Sequence, residues 1–518
     1  MSRPQPITAR APASLASGIL AVTIATYLTY AIGLVSNALV GRGLTPENFG
    51  RYSYVVWLCG WLVLVINNGL TTSGIRFVAE SLGGGSLANA RRTHWYLQRL
   101  SRYSELVILA GFTAVIWLIR PVEWQQSLPL FIGVVVVSAL AKSRYLFDIS
   151  IAKGYRQFKV EAYSTVTVGL LAMLAWGTLY LVHGPLTAYL LVFAISSIGY
   201  LLSASIQLRN AGVSAAPGAL PPEVLSRLRR HLQWTVLLAG VGVFANKSVE
   251  VFFLNLASGP ADVGFFTIGA ALTRGGIDLL TSGLMTVLMP VMSNAFGNGG
   301  EEQVNRIFVD SLRVFCFAGL LAAGVGYHLA APTVELLYGH AYLRAIPAFQ
   351  VMVLISGFTL GDSAFGALLS TTDRQRSRAL LVALQVGITI VLAAILIPAY
   401  GFFGALCAHA ASRLISFAAS FCWVKYLCNA KLPGRQWLRL GMVAAAAAAL
   451  SVVSKSLVHG LVGDALAALV YGLLLVPFSV LARYWTQNDF AVLARSLRRY
   501  APRAHRLHRW VTNLGRAS

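Results

Sequence analysis

The chain has 518 residues, 57% of them hydrophobic and only 11% charged, with a formal net charge of +23. A soluble domain carries about 25% charged residues, so most of this sequence belongs in lipid. The polar runs 80–102, 208–233 and 483–518 are too short to bury a core of their own. The positive balance does not indicate nucleic acid, because the cations sit in alternate loops, the pattern that orients a membrane protein.

The opening MSRPQPITARAP leads into an apolar run longer than a signal-peptide core, so it reads as an uncleaved first span. Helical spans need about 20 apolar residues. The hydropathy pattern predicts fourteen, the first six at 14–40, 53–77, 103–119, 127–149, 160–182 and 185–207. The next six are expected at 233–256, 264–296, 307–331, 347–369, 380–398 and 402–426, and two more at 438–456 and 461–481. The alternating ten-residue segments of a membrane barrel are absent. In the turns of one side only Arg42, Arg51, Arg120, Arg344 and Lys455 occur, while most other cations fall on the opposite side. That asymmetry places both termini in the cytoplasm.

The chain also repeats. PENFGRY at 46–52 matches PADVGFF at 260–266, and IAKGYRQ at 151–157 is echoed by LSTTDRQ at 369–375, at nearly the same offset. Two halves running in the same direction imply a pseudo-twofold along the membrane normal with a site between them. The expected organisation is a six-helix lobe at 1–207, a cytoplasmic linker at 208–232 and a second six-helix lobe at 233–429. Two further transmembrane helices follow at 430–482, then a basic cytoplasmic tail at 483–518 on the anionic leaflet. Gly50 and Gly264 read as residues that let the chain turn tightly at a helix end.

Five cysteines without a CxxC pair suggest neither a disulfide framework nor a metal site. No GxxxxGK, HExxH or GxSxG spacing is present, so neither ATP hydrolysis nor an enzyme is indicated, and no cofactor is expected.

VGRGLTPENFGRYSYVVWL and NNGLTTSGIRFVAE resemble the opening of the Wzx-type oligosaccharide flippases, the polysaccharide-transporter branch of the MOP exporter superfamily. The resemblance continues through GYRQF, ADVGFFT, ELLYGHAYLRAIPAFQVM and IPAYGFFGALCAHAASR. It implies an all-α polytopic inner-membrane protein, two lobes in a V shape. It also implies translocation of an undecaprenyl-pyrophosphate-linked oligosaccharide by alternating access, for O-antigen, capsule or exopolysaccharide assembly. The implied partners are that substrate, membrane lipids and a polysaccharide polymerase or export machinery. A MATE-like multidrug exporter and a lipid II flippase are the alternatives within transport. Spans 14–40 and 53–77 hold none of the acids that many cation-coupled drug exporters use. A polymerase or ligase would carry a large outer loop, which the turns here do not allow.

Charges at bilayer depth cost at least about 2.5–3.5 kcal/mol and face a partner or a wet cavity. Counted from the span ends, the candidates at similar depth are Asn67, Asn68, Lys247, Glu250, Arg274, Asp278, Asp362 and Arg413. Lys247, Arg274 and Arg413 suit a pyrophosphate. Asn67 and Asn68, with Tyr30 and Trp57, suit a sugar, and Arg76, like Arg144 near an inner end, reads as an anchor that snorkels to headgroups or as a guide for a phosphate. Lys247 with Glu250 and Arg274 with Asp278 are also spaced as ion pairs on one helix face. Asp362 reads either as the neutraliser of Arg413 or as a coupling-ion site. Asp148, one turn after Arg144, is expected to pair with it.

Overall fold

The computed structural model describes residues 15–246, 248–372, 374–428, 434–487 and 489–490. Their regular secondary structure is entirely helical, without strands. The first half holds α1 (Leu15–Gly43), α2 (Pro46–Ile66), α3 (Leu70–Gly83), α4 (Leu87–Ile119), α5 (Leu128–Gly154), α6 (Lys159–Leu181) and α7 (Leu186–Asn210). The rest holds α8 (Pro222–Asn246), α9 (Glu250–Ala257), α10 (Pro260–Thr273), α11 (Leu279–His328), α12 (Ala330–Tyr338), α13 (Ile346–Phe358) and α14 (Asp362–Thr371). It closes with α15 (Gln375–Cys428), α16 (Gly434–Leu457) and α17 (Gly460–Leu481).

Ten helical stretches among the described residues are long and apolar enough to cross a membrane. The chain is therefore an all-α polytopic membrane protein. Two continuous runs each hold a pair of expected spans: α11 bends at Gly300 and α15 at Gly401, just past Pro398. Four expected spans are instead broken. The one at 53–77 parts at Asn67–Gly69, between α2 and α3, and the one at 233–256 between α8 and α9. The span at 264–296 passes through a π-helical turn, Arg274–Asp278, and the one at 347–369 through a 3₁₀ turn, Thr359–Gly361. Hydropathy is blind to such breaks, because it sums side chains and ignores backbone bonding.

Contacts divide the chain into two compact units. The first takes in everything up to Thr267 together with 337–341 and 386–405; the second takes in 268–336, 342–385 and the chain from Leu406 on. In the first unit α5 packs on α2, α3, α4 and α7, and α1 packs on α6. We call the end of this unit that carries Thr45, Arg120 and Gly259 the first-turn face, and the end that carries Gly84, Tyr155 and Gly212 the linker face.

At the first-turn face the two copies of the repeat motif meet. A β-carbon on Gly50 would lie 1.6 Å from the Pro260 carbonyl oxygen, and one on Gly264 would lie 3.1 Å from the Pro46 carbonyl. Both glycines are inside helices and neither has a positive φ. Their role is close approach of two backbones, not the tight turn expected from sequence. Beside them the Arg42 Nε donates to the Leu337 carbonyl at 3.0 Å, and the Tyr338 hydroxyl donates to Asn37 Oδ1.

Gly50→Ala is expected to destabilise the protein by about 1–3 kcal/mol, the scale of overpacking. Gly111 on α4 faces open space, so Gly111→Ala is the matched control. Thermal unfolding in detergent checks this; equal melting temperatures for the two variants would refute the contact.

Candidate functional site

In the second unit two mid-span charges, Arg274 and Asp362, stand at helix breaks. Arg274 opens the π-helical turn after fourteen residues of α10, about 21 Å along the axis. Its side chain is exposed. π-Turns of this kind are frequent at functional sites. The side chain of Asp278 lies outside the described residues. Asp362 begins α14 directly after the 3₁₀ turn and accepts a hydrogen bond from Ser420. It also lies close enough to Arg413 for their charges to attract. Arg413 is exposed and stands twelve residues beyond the Gly401 kink, about 18 Å. The structure thus places Asp362 within electrostatic reach of Arg413, whose side chain is exposed.

In the first unit the α8–α9 break is met by Trp57, whose Nε1 donates to the Ser248 carbonyl at 3.0 Å. Trp57 stacks on Tyr54, with ring centroids 5.7 Å apart. Glu250 is buried at the start of α9, about 12 Å below the first-turn end. Lys247 lies outside the described residues.

Asn67, Asn68 and Arg76 belong elsewhere. Asn67 follows 21 residues of α2, about 31 Å, so it lies near the far end of the hydrocarbon and not half-way. Its Nδ2 donates to the Val63 carbonyl and to both the carbonyl and the hydroxyl of Ser143, at 3.0–3.2 Å. That Nδ2 is spent on holding the break. Gly69, at φ 76°, then starts α3 in a conformation that suits glycine. Asn68 donates to the Val236 carbonyl at 3.0 Å. Arg76 is exposed on the linker face, 3.3 Å from His231 Nδ1. With the bidentate Arg227–Glu80 pair, at 2.7 and 3.2 Å, it clips α8 to α3.

Sequence reasoning missed two groups. Arg144 pairs with Glu105 of α4 at 3.0 Å and not with Asp148, which accepts from Ser205 at 2.9 Å. The nearer residue in sequence lost to a buried carboxylate on the neighbouring helix. Lys142 turns into the bundle, its Nζ 4.0 Å from the centre of the Phe193 ring. A lysine inside VVVVSALAKSRYLF was the available signal. Among the described residues no cluster of His, Cys, Asp or Glu is arranged for a metal.

The sequence profile described as polysaccharide biosynthesis protein matches residues 15–296. No curated protein sequence matches. Among solved structures, the lipid II flippase MurJ in an inward closed conformation aligns over 89% of this chain and 98% of its own, with TM-score 0.70 and 13% identity. An inward-facing multidrug resistance MATE transporter of the MOP superfamily covers 80% and 98%, with TM-score 0.59 and 14% identity. A MOP superfamily transporter from Pyrococcus furiosus covers 80% and 95%, with TM-score 0.53 and 14% identity. At these identities the likeness establishes the fold.

The α3–α8 clip titrates. Burial, with the Arg76 charge beside it, lowers the His231 pKa below its ordinary value. The native state therefore binds this proton less readily than the unfolded chain, so stability is lost as pH falls below about 6.5. The melting temperature should drop between pH 7.5 and 5.5 by more in the wild type than in His231→Asn. Identical drops would refute the assignment.

Proposed function

This chain belongs to the polysaccharide biosynthesis protein family, and from that premise we propose that it flips a polyprenyl-pyrophosphate-linked oligosaccharide across the bacterial inner membrane by alternating access. The observation that carries the reading is the placement of Arg274 and the Asp362–Arg413 pair at or beside helix irregularities inside membrane-length segments. Broken helices at mid-depth are how transporters of this architecture expose backbone and charge to a substrate. An arginine already neutralised by one carboxylate still has donors to offer a phosphate, because its planar fork carries five. The Tyr54–Trp57 stack, set about 12–17 Å into α2, presents an aromatic surface of the kind that suits a sugar ring. Both termini are assigned to the cytoplasm by the positive-inside rule. The linker face is then cytoplasmic and the first-turn face periplasmic. A polysaccharide polymerase or export complex is the expected partner on the product side.

The MurJ-like fold keeps lipid II as the second reading. The two substrates share the pyrophosphate and differ in the glycan.

Arg274→Gln and Arg413→Gln should each remove charge-assisted hydrogen bonds worth about 1.5–3 kcal/mol, and so slow translocation roughly tenfold or more. The check is headgroup protection of a labelled lipid-linked oligosaccharide in vesicles carrying the purified protein. Unchanged rates in both variants at equal protein level would overturn the proposed site. Transport of lipid II but not of the oligosaccharide would favour the second reading.

A further inference from the structure

Only 11% of the most apolar window of α4 is buried inside the protein. Its bare side, with α5, forms a groove of about 1280 Å³. That exceeds the 300–1,000 Å³ typical of small-molecule pockets. The floor is made of small residues, Ala110, Thr113 and Ala114, between walls from Leu106, Val136 and Leu140. The Thr113 hydroxyl bonds back to the Leu109 carbonyl at 2.8 Å, so the floor offers no free polar group.

Both ends of the groove carry arginines. At the linker face lie Arg144, paired with Glu105 at 3.0 Å, and Arg102, whose charge also acts on Glu105. Arg144 also acts on Asp148, so the two guanidinium groups face two carboxylates, and it is their spare N–H donors that remain for an anion. At the first-turn face lies Arg120, stacked over Trp117 at 5.8 Å from the ring centre. From Arg102 to Arg120 the axial rise is about 27 Å, close to the whole hydrocarbon thickness of about 30 Å.

That length selects the occupant. An acyl chain of an ordinary phospholipid stays in its own leaflet and covers about half of that thickness. A single chain filling the groove must reach through both leaflets and end in an anion. We propose that the α4–α5 groove seats the polyprenyl chain of the lipid-linked substrate, with its phosphate at Arg102 and Arg144 before transport and at Arg120 after it. The substrate class rests on the flippase reading above; the site rests on the groove and its charged ends.

The test uses the full-length protein in nanodiscs of phosphatidylethanolamine and phosphatidylglycerol, with a photoactivatable long-chain polyprenyl phosphate as probe. Adducts should map to 106–117 and 136–140. Ala110→Trp, which fills the floor, should lower them about tenfold, and Ala114→Leu should do so if the first variant does not fold. A photoactivatable phosphatidylglycerol that labels the groove as strongly as the polyprenyl probe would overturn the proposal, because the groove would then hold ordinary leaflet lipid. So would polyprenyl adducts confined to other helices. In either case translocation of lipid-linked oligosaccharide by the same preparation would leave the flippase reading standing, and its loss would remove that reading independently.

Discussion

Hydrocarbon supplies no water to satisfy a backbone amide or to screen a charge, and three of the helix breaks in this protein answer to that rule. At each of them a side chain from a neighbouring segment bonds at the break. Ser104 donates to the Ile66 carbonyl, and Asn67 reaches across to Ser143. Trp57 bonds Ser248 between α8 and α9, and Ser420 bonds Asp362 after the 3₁₀ turn. These three breaks are therefore built features, each held by a specific donor. A flippase needs such places, since it must offer polar groups to a headgroup while the rest of the chain stays compatible with lipid.

The all-α membrane class was legible because hydropathy is summed over many residues. The repeat was legible too, and the structure gives it a physical meaning. PENFGRY and PADVGFF meet through Gly50 and Gly264 at backbone distance. A sequence shows that glycine recurs at equivalent positions, but not that the two positions touch. Depth was less legible. Asn67 lies about ten residues beyond the middle of its span because α2 starts at Pro46, earlier than the apolar run suggests. Partner choice was least legible of all. Asp148 is one turn from Arg144, yet Glu105, 39 residues away in sequence, takes the guanidinium because α4 and α5 lie side by side.

The same reasoning separates the sites by function. The linker-face residues Asn67, Asn68, Arg76 and His231 fasten helices to one another. Arg274 and Asp362 sit at irregular backbone, with Arg413 within electrostatic reach of Asp362, in apolar segments where a purely structural charge would be an expensive way to hold a fold together. A repeated apolar stripe on α4 is left without protein cover and ends in arginines on both sides. In the proposed mechanism headgroup and anchor have separate places suited to their opposite chemistries.

The central claim is that water reaches the charged helix breaks, since an ionic headgroup cannot cross where water cannot. It is tested most directly by placing single cysteines at 274 and 362, in a background without the native five, and treating vesicles with a hydrophilic thiol reagent. The account predicts rapid labelling at both positions and protection by lipid-linked oligosaccharide. Labelling only by a lipid-soluble reagent, with the hydrophilic one excluded from both membrane faces, would contradict it.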